Sequence, residues 1–146
     1  MLLPRATEAP AEPGAPLRKK VRRGTETILL VEDESAVRRA VCRMLQSFGY
    51  HVLEASSVAG ALDVAARADA SDTRVHLVLT DVVMPDEGGR ALGERLAAFW
   101  PGIPLVYMSG YTDDEIFRRG LRHVRFLEKP FTAEQLATAI RDALGG

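Results

Sequence analysis

From Thr25 onward, short apolar runs alternate with stretches of helical periodicity, and this alternation restricts the possible folds more than any other feature. The runs fall at residues 28–31, 52–53, 75–79, 103–108 and 124–127. Between them, apolar residues recur at helical spacing. Val37, Val41, Leu45 and Phe48 form one stripe, with Ser35 placed to cap it and Gly49 to end it. Val58, Ala61, Leu62 and Ala65 form a second, and Leu92, Leu96 and Phe99 a third, closed by Trp100 before Pro101. A short fourth helix is expected from Asp113 to Gly120. Thr132 and Gln135 make a capping box ahead of Leu136, Ile140 and Leu144. Five strands and five helices in alternation predict an α/β fold, a doubly wound five-stranded parallel sheet with helices on both faces. Unbroken apolar strands are what such a doubly covered sheet requires.

The chain has 146 residues, about one domain's worth. One cysteine, Cys42, excludes an internal disulfide framework and a cysteine-based metal site; it is read as a small core or flank residue and not a nucleophile. His51, His76 and His123 lack metal-ligand spacing, and none is nominated as a phosphohistidine. No run approaches the roughly 18 apolar residues of a membrane span. Met1-Leu2-Leu3 leads directly to Pro4 and Arg5, without a signal peptide's apolar stretch, so a cytoplasmic location is expected.

Net charge is −1, but it is unevenly spread. Residues 1–24 hold six Lys/Arg against two Glu; the remainder holds thirteen basic against eighteen acidic residues. The first 24 residues contain Pro4, Pro10, Pro13 and Pro16 and no periodicity, as expected of a flexible Pro-rich basic linker, with one domain over 25–146. The basic run at 17–23 is read as solvated linker. An acidic body argues against a nucleic-acid surface.

In an open parallel sheet the functional crevice lies beyond the carboxyl ends of the strands. The first run ends in Glu32-Asp33-Glu34, the third in Asp81, the fourth in Ser109-Gly110 and the fifth in Lys129-Pro130. Taken singly, each has a plain alternative: a helix N-cap for Glu32-Asp33, a turn residue for Asp81 or Ser109, a surface lysine for Lys129. Taken together they make a constellation. Three crowded acids repel one another unless a cation is present, and all-oxygen donors suit magnesium. A carboxylate can itself accept a phosphoryl group as an acyl phosphate. Lys129 and the Ser109 hydroxyl would then hold the transferred oxygens.

With these residues in place, the chain resembles the receiver domain of two-component response regulators over about residues 26–144. The motifs are Ile28-Leu-Leu-Val-Glu-Asp-Glu34, Leu79-Thr-Asp-Val-Val-Met-Pro85 with Gly88-Gly89, Met108-Ser-Gly-Tyr111 and Phe126-Leu-Glu-Lys-Pro-Phe131. The resemblance implies strand order 2-1-3-4-5 and a flavodoxin-like sheet. It implies Asp81 as phospho-acceptor. Magnesium, with manganese as a substitute, would be held by Asp33, Asp81, the Val83 backbone carbonyl and, often through water, Glu32. It further implies Ser109 as switch hydroxyl, Lys129 as phosphate-binding lysine, Phe126 as switch aromatic and a cis Lys129-Pro130 bond. Phosphorylated Asp81 would draw in Ser109 and let Phe126 rotate inward. The expected donor is a phosphohistidine on a histidine kinase or histidine phosphotransfer domain. The domain itself would be a self-modifying module and not a conventional enzyme, with a weak or phosphorylation-dependent dimer allowed.

Three features depart from the common pattern of that family. Glu32 stands where many relatives have Asp, Ser109 where Thr is commoner, and the stretch from Tyr111 to Phe126 is short for a full helix, so an altered output surface is expected. Val83 and Tyr111 offer no base or amide to orient an attacking water, which predicts a long-lived phosphoryl group. Met-Ser-Gly-Tyr with Phe-Leu-Glu-Lys-Pro-Phe-Thr resembles receivers at the C-terminus of hybrid histidine kinases. Leu3-Pro4-Arg5-Ala6 resembles the end of a kinase ATP-binding domain. Only Gly145-Gly146 follow the last helix, so the chain is expected to be the C-terminal part of a hybrid kinase without a DNA-binding output domain. The alternatives are a stand-alone regulator, a receiver that binds partners without phosphorylation, and an aspartyl-phosphate phosphatase. The last lacks its second acid, since position 83 is Val.

Overall fold

In the computed structural model, residues 24–82, 88–110 and 125–145 are described. Five strands, β1 Thr27–Val31, β2 His51–Ala55, β3 Leu77–Asp81, β4 Leu105–Ser109 and β5 Arg125–Glu128, form one sheet. All pairings are parallel and the order is β2-β1-β3-β4-β5, as the sequence predicts. The described helices are α1 Ser35–Ser47, α2 Val58–Ala70, α3 Gly89–Leu96 and α4 Ala133–Ala143. The helix expected between Asp113 and Gly120 lies outside the described residues, as do residues 1–23 and Val83.

Period-two alternation divides the strands between two cores. Ile28, Leu30, Leu77, Leu79, Val106 and Met108 face α1 and α4, where Val41, Leu45, Leu136 and Ile140 are buried. Leu29, Val31 and Val78 face α2 and α3, against Val58, Ala61, Ala65, Leu92 and Leu96. Every residue of β3 is buried, as an interior strand covered on both faces must be.

The helix ends follow local chemistry. Thr132 and Gln135 form the expected capping box, Thr132 Oγ1 accepting from Gln135 N–H and Gln135 Oε1 from Thr132 N–H. Phe48 closes α1 and Gly49 follows at φ +100°, where a Cβ would collide with the Gly24 carbonyl oxygen. Trp100 packs with Phe99 at the end of α3, their ring centroids 6.2 Å apart. One expectation is corrected. Ser35 does not cap α1: it is the first helical residue, and Glu34 occupies the N-cap position without a side-chain bond. Glu32, two residues upstream, satisfies the N-cap residue's own N–H, its Oε2 accepting from Glu34 at 3.1 Å.

Chain order reverses between β1 and β3. After β1 the chain adds β2 on one side; after β2 it crosses over to β3 on the other. Their neighbouring carboxyl ends therefore open a crevice between diverging connections. The Glu32-Asp33 turn and Asp81 both stand there.

Candidate functional site

The topology brings together four of the predicted site residues. Lys129, just past β5, places its Nζ 2.9 Å from Glu32 Oε1 and 3.1 Å from Asp81 Oδ1. Ligand oxygens of Glu32, Asp33 and Asp81 all lie within 4.8 Å of one another. Glu32 is fully buried, Asp81 nearly so, and Asp33 is exposed to solvent. Two of the three carboxylates thus pair with a single ammonium.

That imbalance appears in the protonation of each group. Burial pushes the Asp81 carboxyl up to about 6; the Glu32 charge adds to this, against the pull of Lys129. Burial also acts to raise Glu32, but the Lys129 hydrogen bond and the Glu34 N–H outweigh it and hold that carboxyl low. Burial acts to lower Lys129; the bonds to Glu32 and Asp81 outweigh it and keep the ammonium charged. Near neutral pH, Asp81 is an anion held unwillingly in a half-dry crevice. Hard oxygen donors, close spacing and uncompensated negative charge fit a divalent cation such as Mg2+.

Ser109 ends β4, is 1% exposed, and its Oγ has no hydrogen-bond partner among the described residues. An orphaned buried hydroxyl costs about 1–3 kcal/mol and implies a state in which it is used. Its carbonyl accepts the Lys129 N–H at 2.9 Å, tying the lysine to β4. The Lys129-Pro130 bond is cis, as expected. Phe126 is half-buried on β5 and pairs in register with Tyr107 of β4, their ring centroids 5.8 Å apart. Val83 lies outside the described residues, so the site contains no described backbone ligand.

Sequence reading missed two neighbours. The buried Tyr107 donates its hydroxyl to the Gly89 carbonyl at 3.3 Å. A Cβ on Gly89 would collide with the Asp81 carbonyl oxygen, so Tyr107 fastens α3 where it presses on the Asp81 backbone. Arg38 Nη1 donates to the Glu32 carbonyl at 2.8 Å. The available signal was a basic residue one turn into the helix that follows the acidic turn. Cys42 is buried, and burial with the nearby Glu54 charge raises its thiol, as suits a core residue. His76 serves the frame: its Nδ1 accepts the Thr27 N–H at 3.0 Å.

This fold and this cluster define a phospho-accepting signalling domain. The response regulator receiver domain family matches residues 28–141, and the chain belongs to that family. The sensor kinase CckA of Brucella abortus (strain 2308) is 38% identical over 154 aligned positions, covering 99% of this chain and 16% of that protein. The response regulator receiver protein CpdR of the same organism is 29% identical, covering 80% of this chain and 95% of that one. The receiver domain of the hybrid histidine kinase CckA superposes with a TM-score of 0.66 at 30% identity, covering 81% of this chain and 98% of that domain. The chain spans less than two thirds of the length of the first curated relatives it matches. The family and its place in two-component phosphorelay agree with the sequence reading.

Proposed function

We propose that Asp81 accepts a phosphoryl group from a phosphohistidine, with Mg2+ held by Glu32, Asp33 and Asp81. The observation that carries this is the Glu32–Lys129–Asp81 cluster, where two buried carboxylates share one lysine beside an orphaned serine hydroxyl. An Asp81 oxygen forms a bond to phosphorus as the bond from phosphorus to the donor's imidazole nitrogen breaks. The electron pair stays with the imidazole. When bound, the cation neutralises the transferred oxygens and the acids around them. Lys129 exchanges its contact with Asp81 for a phosphoryl oxygen, and Ser109 Oγ donates to another. Phe126 then turns toward the space Ser109 leaves, a population shift between two packings. Manganese would serve in place of magnesium, and the Val83 carbonyl would join the residues that hold it.

The domain occupies residues 25–146 behind a linker at 1–24. Its partner is a histidine kinase or histidine phosphotransfer domain, with neither nucleic acid nor membrane insertion involved. Similarity to a sensor kinase across nearly the whole chain supports a place within a hybrid kinase. No described helix is long and apolar enough to cross a membrane. With Mg2+ and either acetyl phosphate or a phosphorylated phosphotransfer domain, the chain should gain one hydroxylamine-labile phosphoryl group. Chelation by EDTA should abolish the gain; incorporation indifferent to EDTA would overturn the assignment.

A further inference from the structure

Asp33 is exposed, yet it sits beside a buried acid and must present its carboxylate in a fixed direction. Its main chain lies between Glu32 and Glu34, and both are tied down. The Glu32 N–H donates to the Ala55 carbonyl at 3.0 Å, and the Glu32 carbonyl accepts from Arg38 Nη1 at 2.8 Å. The Glu34 N–H reaches Glu32 Oε2, and the Glu34 carbonyl accepts the Arg38 N–H at 2.9 Å. Arg38 therefore grips the turn on both sides of Asp33, through its side chain on one and its backbone on the other. The guanidinium is itself braced, with Nε 3.3 Å from Glu54 Oε1 on β2. Glu54 Oε2 accepts in turn from Cys42 Sγ at 3.6 Å.

We propose that Arg38 is a positioning residue for the cation site: its fork, anchored by Glu54, fixes the Glu32 carbonyl and thereby the direction of the Asp33 carboxylate. The inference rests on the metal assignment given above. An arginine suits the task because one planar group meets two acceptors on different elements; a lysine has a single nitrogen to offer. Partners that orient metal ligands are commonly worth 10- to 100-fold in affinity.

Coulomb's law alone predicts the opposite sign. A guanidinium near three acids repels an incoming divalent cation, so removing it should tighten binding. Positioning predicts weaker binding, and predicts it even for the lysine variant, which keeps the charge.

The test is Mg2+ titration of the full chain by calorimetry, alongside hydrogen exchange of the metal-free protein. Arg38→Lys and Arg38→Ala should each weaken Mg2+ binding about tenfold. Glu54→Gln should weaken it less, and Arg38→Ala with Glu54→Gln no more than Arg38→Ala alone, because Glu54 acts through Arg38. Without metal, the Asp33 and Glu34 amides of Arg38→Lys should exchange faster while those of β3 keep their protection. Arg38→Lys with wild-type affinity, or Arg38→Ala with tighter binding, overturns the proposal. A wild-type chain that takes up no Mg2+ overturns the metal assignment itself, and this inference with it.

Discussion

The two ends of the sheet carry charge clusters built on opposite rules. At the carboxyl ends of the strands, Glu32 and Asp81 share Lys129 beside Asp33, and the buried Ser109 hydroxyl has no partner among the described residues. At the other end, one carboxylate meets one guanidinium. Arg141 Nη1 lies 3.0 Å from both oxygens of Glu26 and donates to Tyr50 Oη at 3.4 Å. Glu26 Oε1 also accepts the Thr25 N–H at 3.1 Å. There each carboxylate oxygen meets the guanidinium and the two charges balance. The balanced cluster holds the incoming chain to α4, while the unbalanced one is stabilised fully only by something added.

Substitutions should separate the ends by what they change. The largest effect is expected for Lys129→Ala, which removes the ammonium paired with Glu32 and Asp81. Phosphoryl incorporation from acetyl phosphate should slow by about 100-fold or more, as for loss of a charge-stabilising donor. At the balanced end, Arg141→Ala should cost about 2 kcal/mol in urea unfolding, the worth of a charge-assisted hydrogen bond, and leave the rate of incorporation unchanged. A large loss of rate in Arg141→Ala would break the distinction.

The two ends should also respond to pH with opposite signs. Asp81 is held at about 6, above its ordinary 3.8. Between those values the folded state binds more protons than the unfolded state, so metal-free stability should fall as pH rises from about 4 to about 6. Asp81→Asn should remove that slope and stabilise the metal-free protein at pH 7 by on the order of 2 kcal/mol. Burial acts to raise the Glu26 carboxyl, but backbone N–H groups and Arg141 outweigh it and hold it below the ordinary 4.5. Its contribution is present above that ordinary value and lost as pH falls through the lowered one. Urea unfolding of wild type, Asp81→Asn and Arg141→Ala across pH 3–8 resolves the two slopes.

The smallest effect concerns the brace beneath Asp81. Tyr107→Phe keeps the ring against Phe126 and removes the bond to Gly89. Stability should drop by about 1 kcal/mol and incorporation should slow a few-fold. Tyr107→Phe with a wild-type rate would confine Tyr107 to packing.

The unbalanced cluster was partly legible beforehand. The acids, Ser109 and Lys129 each end an apolar run, and a parallel sheet gathers strand ends, so the functional cluster follows from the pattern. Its internal geometry does not. Glu32 was expected to help a metal, often through water. In the folded protein it is buried, pairs with Lys129 and accepts the N–H of Glu34, the N-cap residue of α1. Such pairings depend on side-chain reach, which spacing does not encode. Arg38 and Tyr107 escaped notice because each bonds a backbone carbonyl, and any residue supplies one. The Glu26–Arg141 pair was invisible for another reason: its members are 115 positions apart and neither lies in a motif.

The most direct measurement is the intact mass of wild type and Asp81→Asn after incubation with acetyl phosphate and Mg2+. Wild type should gain the mass of one phosphoryl group and Asp81→Asn none. Equal gain in both proteins would place the acceptor elsewhere and contradict the account.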